Sequence, residues 1–135
     1  DLAHYVVDPY VEPGFQRDPI DKAVDALIIG GGFGGLLAGA RLRQAGVKDI
    51  CIVEKGGDFG GTWYWNRYPG CRCDVPSVEY SYSFDEELQQ DWTWTEMMAS
   101  QPEIEKYAQH VAQRFKLRDG IDFNTRVLKV VYKRK

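Results

Sequence analysis

Apolar positions along the chain fall in a few dense runs separated by glycine-rich breaks, and their spacing predicts the elements. Ala23-Val24-Asp25-Ala26-Leu27-Ile28-Ile29 is a short apolar run that stops abruptly at glycine, the pattern of a buried strand. Leu36, Leu37, Ala40, Leu42 and Ala45 continue at roughly helical spacing, and Gly46 is a natural stop. Ile50-Cys51-Ile52-Val53-Glu54 reads as a second buried strand with an acid at its end. Strand, tight glycine turn, helix and strand make a βαβ unit, for which a right-handed crossover is expected. Further on, Ile104, Tyr107, Ala108, Val111, Ala112 and Phe115 share one face of a helix. Ser100 reads as its cap, Glu103 as the reciprocal partner three residues later, Pro102 as a tolerated first-turn proline, and Asp119-Gly120 as its end. Ile121 to Phe123 and Val127 to Tyr132 read as short strands.

Two stretches lack any period. Residues 1–22, with Asp8-Pro9, Glu12-Pro13-Gly14 and Asp18-Pro19, read as an irregular N-terminal arm. Its Tyr5, Val6, Val7, Tyr10, Val11 and Phe15 predict that it packs along a surface. From Lys55 to Tyr82 glycines and prolines break any regular element, and a loop this long inside a compact chain is usually functional or disordered. Its aromatic content, Phe59, Trp63, Tyr64, Trp65 and Tyr68, argues against disorder. No internal repeat interrupts the remainder, which is read as one unit over 23–135.

Composition narrows the function classes. Among 135 residues, 17 basic and 20 acidic side chains leave a net charge of −3, which excludes a nucleic-acid binder that relies on bulk positive charge. The basic run Lys133-Arg134-Lys135 reads as a solvated tail. No apolar stretch approaches the roughly 18–20 residues of a membrane span, and Asp1 to Asp8 has neither the basic start nor the apolar core of a signal peptide. Cys51, Cys71 and Cys73 are odd in number and lack zinc-ligand spacing, so they read as reduced thiols of a cytoplasmic protein. His4 and His110 read as ordinary surface or core residues.

The chemistry begins at Gly30, Gly32 and Gly35, which form G-x-G-x-x-G between a predicted strand and a predicted helix. The first glycine permits the tight turn, the second lets a pyrophosphate approach the backbone, and the third lets the helix lie against the strand. The helix start offers free N–H groups and a positive dipole end to phosphates. Glu54 closes the second strand 24 residues after Gly30, where an acid can accept hydrogen bonds from both ribose hydroxyls and repel a 2′-phosphate. Adenosine with a free 2′-OH, as in FAD or NAD, is therefore favoured over NADP at this turn. The alternative is a purely structural glycine turn. In the run from Gly60 to Asp74, flat aromatics and small residues can wall a planar ring system, and Arg67, Arg72 and Asp74 add charge. On composition alone this run is equally an aromatic loop packed on the core.

The run Gly60-Gly61-Thr62-Trp63-Tyr64-Trp65-Asn66-Arg67-Tyr68-Pro69-Gly70, followed by Arg72-Cys73-Asp74, is far more specific than the glycine motif. With Glu79-Tyr80-Ser81-Tyr82-Ser83-Phe84, Trp92-Thr93-Trp94-Thr95-Glu96 and Ser100-Gln101-Pro102-Glu103-Ile104, it resembles the N-terminal flavin domain of Baeyer–Villiger monooxygenases over about residues 22–132. The resemblance implies an α/β, Rossmann-like FAD-binding βαβ with a parallel sheet, incomplete in this chain. It implies that Gly30, Gly32, Gly34 and Gly35 hold the FAD pyrophosphate, that Glu54 holds the adenosine ribose, and that Thr62, Trp63, Tyr64 and Trp65 run along the FAD. Tyr80 would contact the flavin side, Val127 would meet the adenine through its backbone, and Arg72, Cys73 and Asp74 would face the nicotinamide of NADP. Asp74 is the expected catalytic residue, in an electrostatic role.

The implied reaction needs FAD, NADPH and O₂ and converts a ketone to an ester or lactone through a C4a-peroxyflavin. The family's second glycine motif, its histidine fingerprint and its active-site arginine do not occur in this sequence. The chain is therefore expected to be a fragment, inactive alone, marginally stable, with an open sheet edge and the remaining segments of its parent as partners. The competing readings are a flavin monooxygenase acting on nitrogen or sulfur, a flavin disulfide reductase, and a non-catalytic FAD-binding module. Cys71 and Cys73, only two positions apart, argue against the reductase.

Overall fold

A computed structural model describes residues 7–134 of the chain; His4, Tyr5, Val6 and Lys135 lie outside them. The order of elements is β1 (Ala26–Ile29), α1 (Phe33–Gln44), β2 (Ile50–Val53), α2 (Thr62–Trp65), α3 (Glu86–Asp91), α4 (Gln101–Arg114) and β3 (Ile121–Asp122). The three strands form one parallel sheet in the order β1-β2-β3, with Ala26 paired to Ile50 and Ile52 to Ile121. This is the expected α/β arrangement.

One face of the sheet carries the main core. Leu36 of α1, Ile52 of β2, Leu88 of α3 and Tyr107, Ala108, Val111 and Ala112 of α4 are all buried together, with Leu117 closing the cluster. Gly39 keeps α1 low on the sheet: a Cβ there would stand 3.0 Å from Leu117 and 3.4 Å from Ile52. A second cluster of Trp63, Cys71, Cys73, Ala99 and Ile104 ties α2 to α4.

The other face of the sheet differs from expectation. β1 is shorter than the apolar run suggested and alternates half-buried with exposed, leaving Leu27 and Ile29 at 56% and 59% exposure. Parallel sheets are normally covered on both faces, and among the described residues no helix covers this one. Among the described residues β1 pairs only with β2.

Five further differences have local causes. The glycine-rich segment holds one helical turn, α2, and a 3-10 turn at Ser77–Tyr80, both too short to leave a period. α3 went unpredicted because a six-residue helix with one buried apolar side chain, Leu88, shows none either. α4 begins as expected, but Ser100 makes no side-chain cap bond and Glu103 instead accepts from the Thr95 amide at 2.7 Å. The helix stops at Arg114, and a separate 3-10 turn, Arg118–Gly120, leads into β3. Finally, Val127 to Tyr132 is not a strand. It pairs with nothing among the described residues, and Leu128, Val130 and Tyr132 are exposed.

Candidate functional site

The turn after β1 is fixed by two glycines. Gly30 takes φ +101°, in the left-handed region, and its amide donates to the Val53 carbonyl at 2.8 Å. A Cβ on Gly35 would overlap the Gly30 carbonyl oxygen, so the helix reaches the strand only because position 35 has no side chain. Gly32 caps α1 without any side-chain hydrogen bond, and the first turn holds no acid. The amides of Phe33, Gly34 and Gly35 are thus left at the positive end of a 12-residue helix.

Glu54 sits against this turn. It is 6% exposed, and its two oxygens accept from Gly31 N at 2.5 Å and Gly56 N at 2.6 Å. Among the described residues the buried carboxylate has no cationic partner in contact, and charge-assisted bonds from backbone amides offset its desolvation. Each carboxylate oxygen has a second lone pair, so capacity remains for hydroxyl donors. Thus one residue both joins the turns after β1 and β2 and keeps an acceptor at their junction.

Opposite the turn lies a second glycine pair. The Gly60 amide donates to the Gly31 carbonyl at 3.0 Å, and a Cβ on Gly61 would stand 3.0 Å from the Gly32 Cα. Two bare backbones therefore pack directly against each other, and both line a cleft of about 560 Å³ whose walls include Gly32, Phe33, Gly61, Thr62, Trp63 and Tyr80. Its aromatic wall is braced edge-to-face: Tyr80 meets Trp63 at 5.4 Å and Phe33 at 5.8 Å between ring centroids. Burial first, and then the neighbouring Cys73 and Asp74, push the Tyr80 phenol upward, so it stays a neutral donor. Phe33 and Gly61 were not singled out in the sequence; the glycine doublet at 60–61 was the available signal, whereas Phe33 is an unconstrained x position of the motif.

The remaining expected site residues separate into two groups. Thr62 and Trp63 line the cleft, but Tyr64 and Trp65 turn away from it. Tyr64 donates to Asp8 Oδ2 at 2.7 Å, and burial followed by the Asp8 carboxylate pushes its phenol upward. Trp65 packs against Tyr64 and lies under the Lys55 ammonium. Of the triplet 72–74, Arg72 is bound to Glu96 Oε2 at 2.8 Å and the Met98 carbonyl at 2.9 Å, while Cys73 is buried in the second cluster. Asp74 is exposed. Val127 is 36% exposed and lies just beyond Thr125, whose amide donates to the Glu54 carbonyl at 2.8 Å.

All three cysteines are free thiols. Among the described residues no cluster of three or more His, Cys, Asp or Glu could hold a metal ion, and no helix is long and apolar enough to cross a membrane. Chemically, the arrangement suits a diphosphate over the glycines, a diol at Glu54 and a flat ring system along the aromatic wall.

Comparison with known proteins matches this geometry. Residues 28–92 match the NAD(P)-binding Rossmann-like domain family. A Baeyer-Villiger monooxygenase of Streptomyces coelicolor (strain ATCC BAA-471 / A3(2) / M145) is 44% identical over 128 residues, covering 94% of this chain and 21% of that protein. Among solved structures, an oxidized steroid monooxygenase bound to NADP aligns with a TM-score of 0.71 at 50% identity, over 75% of this chain and 19% of that one. OTEMO in complex with FAD and NADP aligns with a TM-score of 0.71 at 45% identity, over 78% and 19%. The chain spans about one fifth of the length of the relatives it matches.

Proposed function

We propose that the chain is a member of the Baeyer–Villiger monooxygenase family and forms the FAD-holding part of an NADPH- and O₂-dependent enzyme that converts ketones to esters or lactones. The observation that carries the reading is the contact of the Glu54 carboxylate with the glycine turn, opposite the bare backbone at Gly61. The fit is testable on the cleft itself. Gly32 and Gly61 pack backbone to backbone and both line the cleft, so neither puts a side chain where a diphosphate would lie along the start of α1.

Bound FAD would supply the redox chemistry, taking hydride from NADPH and activating O₂ beside the ketone. The chain's own residues do the holding. The amides at the start of α1 neutralise the diphosphate, the free lone pairs of Glu54 take the ribose hydroxyls, and the perpendicular rings of Trp63 and Tyr80 form an aromatic wall that keeps water from the ring system. Tyr64 and Trp65 act behind this wall by fixing the turn of α2, with backbone contacts to the cofactor. Val127 meets the adenine through its main chain. Asp74, exposed and beside Tyr80, is the electrostatic residue toward the nicotinamide. Arg72 and Cys73 position it, one through Glu96 and the other through the second cluster. The cytoplasmic setting rests on three unpaired thiols.

The direct test is the absorption spectrum of the purified chain after incubation with FAD and desalting. Oxidised-flavin bands that remain with the protein support the reading, and their complete loss contradicts it. In the full-length protein, Asp74→Ala is expected to slow flavin reduction or oxygenation while FAD stays bound; unchanged turnover rejects the role. For this chain alone NADPH consumption is expected to be nil, since the glycine turn and Glu54 bind but do not by themselves react.

A further inference from the structure

The N-terminal arm encloses a second cleft, of about 520 Å³, that no part of the reading above uses. Its walls include Val7, Val11 and Phe15 from the arm and Lys55, Asn124 and Arg126 from the turns that follow β2 and β3. Those turns are bonded to each other at Glu54: Thr125 N donates to the Glu54 carbonyl at 2.8 Å and Asn124 N to the Gly56 carbonyl at 3.0 Å. The cleft therefore begins one residue beyond the carboxylate, on the side away from the glycine turn.

Sheet order gives the cleft its meaning. Ligands of open parallel sheets lie across the carboxyl ends of the strands. With the order β1-β2-β3, a diphosphate at the end of β1 and a ribose at the end of β2 direct the attached base toward the end of β3. That is where Asn124 and Arg126 stand. The walls suit a flat, apolar heterocycle: Val7 and Phe15 are 69% and 50% exposed in the free chain, and a guanidinium or ammonium can lie over an aromatic face. The volume lies within the range of small-molecule sites, roughly 300–1,000 Å³.

The arm is also fastened to both walls. Asp8 Oδ2 accepts from Gly57 N at 2.9 Å and from the Tyr64 hydroxyl at 2.7 Å. Tyr10 donates to the Trp65 carbonyl at 3.1 Å, and the Arg67 guanidinium lies 3.9 Å over the Tyr10 ring. Gly57 allows this seat, since a Cβ there would be 2.6 Å from Val11. At the other end Arg17 donates to the Phe123 carbonyl at 2.9 Å and to Thr125 Oγ1. Tethers near residues 8–10 and 17 hold the intervening apolar residues across the opening.

Resting on the FAD reading, we propose that the arm from Val7 to Phe15 is a cover for the adenine end of the cofactor, so that it sets affinity through the AMP half of FAD. The test uses the full-length protein with two exposed arm residues changed, Val7→Ser and Phe15→Ser, titrated with FAD, ADP and FMN, together with hydrogen exchange of the arm in the unaltered protein. The expected result is a loss of about tenfold in affinity for FAD and ADP in the double variant, no change for FMN, which lacks the AMP half, and slower exchange of arm amides on adding FAD or ADP. FAD affinity equal to that of the unaltered protein, arm exchange indifferent to FAD and ADP, or an equal loss for FMN would each overturn the proposal while leaving the FAD site in place. An unaltered protein that binds neither FAD nor ADP overturns the site reading itself, and the cover with it.

Discussion

At the scale of single residues, the positions legible in the sequence are those where backbone geometry admits one residue type. Gly35 is such a position: Gly35→Ala forces a methyl into the Gly30 carbonyl and is expected to destabilise the chain by about 1–3 kcal/mol, read as a lower urea midpoint. Glu54 was legible by its place in the motif, an acid closing the second strand 24 residues after Gly30; its bonds to the Gly31 and Gly56 amides were not. The fates of Arg72 and Cys73 were not, because Glu96, Met98 and Ala99 reach them only through folding. Lys22 and Asp122, also far apart in sequence, lie 2.5 Å apart. Asp122 is held below its ordinary value chiefly by the Lys22 hydrogen bond, and Lys22 is raised chiefly by Asp122. A depressed carboxyl contributes stability above its unfolded pKa of about 3.9 and loses it as pH falls through the folded value. A raised amine contributes below about 10.4 and loses it as pH rises through the folded value. The pair therefore stabilises between these limits, by no more than about 1 kcal/mol because Lys22 is partly exposed. Asp122→Asn is expected to flatten the acid end of the stability–pH curve, measured by urea midpoints from pH 2 to 7.

At the scale of elements, periodicity found what is long enough to have a period. α4 was legible because its buried residues repeat from Ile104 to Ala112, and α1 because twelve helical residues run on from the glycine turn toward Gly46; α2 and α3 were not. α3 depends instead on Asp85, whose carboxylate accepts from Leu88 N at 2.8 Å and also lies 3.7 Å from Arg114. Asp85→Ala should cost about 1 kcal/mol. At α4 the expected capping box does not form, so Ser100→Ala is expected to be neutral within about 0.5 kcal/mol. Glu103→Ala, which frees the Thr95 amide, should cost more. Equal losses at positions 100 and 103 in thermal unfolding would contradict this assignment. The strand expected at Val127 to Tyr132 shows the converse: β-propensity without a neighbouring strand leaves exposed chain.

At the scale of the molecule, the sheet has one covered and one open face, with Leu27 and Ile29 exposed, and a small core that makes stability sensitive to ligand. FAD at 100 times its dissociation constant should stabilise the chain by about 2.7 kcal/mol. The α/β order and the glycine cradle were legible because local spacing encodes them. The bracing of Tyr80 by Phe33 and the tethering of the arm by Asp8 were not, since both are contacts between distant segments. The measurement that reaches the centre of this account is FAD binding to Gly32→Ala by calorimetric titration, with the melting temperature of the apo chain as control. Gly32 has φ −78°, which any residue adopts, and the added methyl would sit 3.4 Å from the Gly61 Cα, an ordinary contact. The expected result is a melting temperature within about 2 °C of the unaltered chain and an FAD affinity lower by at least about 100-fold. Unchanged FAD affinity in a folded Gly32→Ala chain would show that no diphosphate lies against the Gly32 backbone.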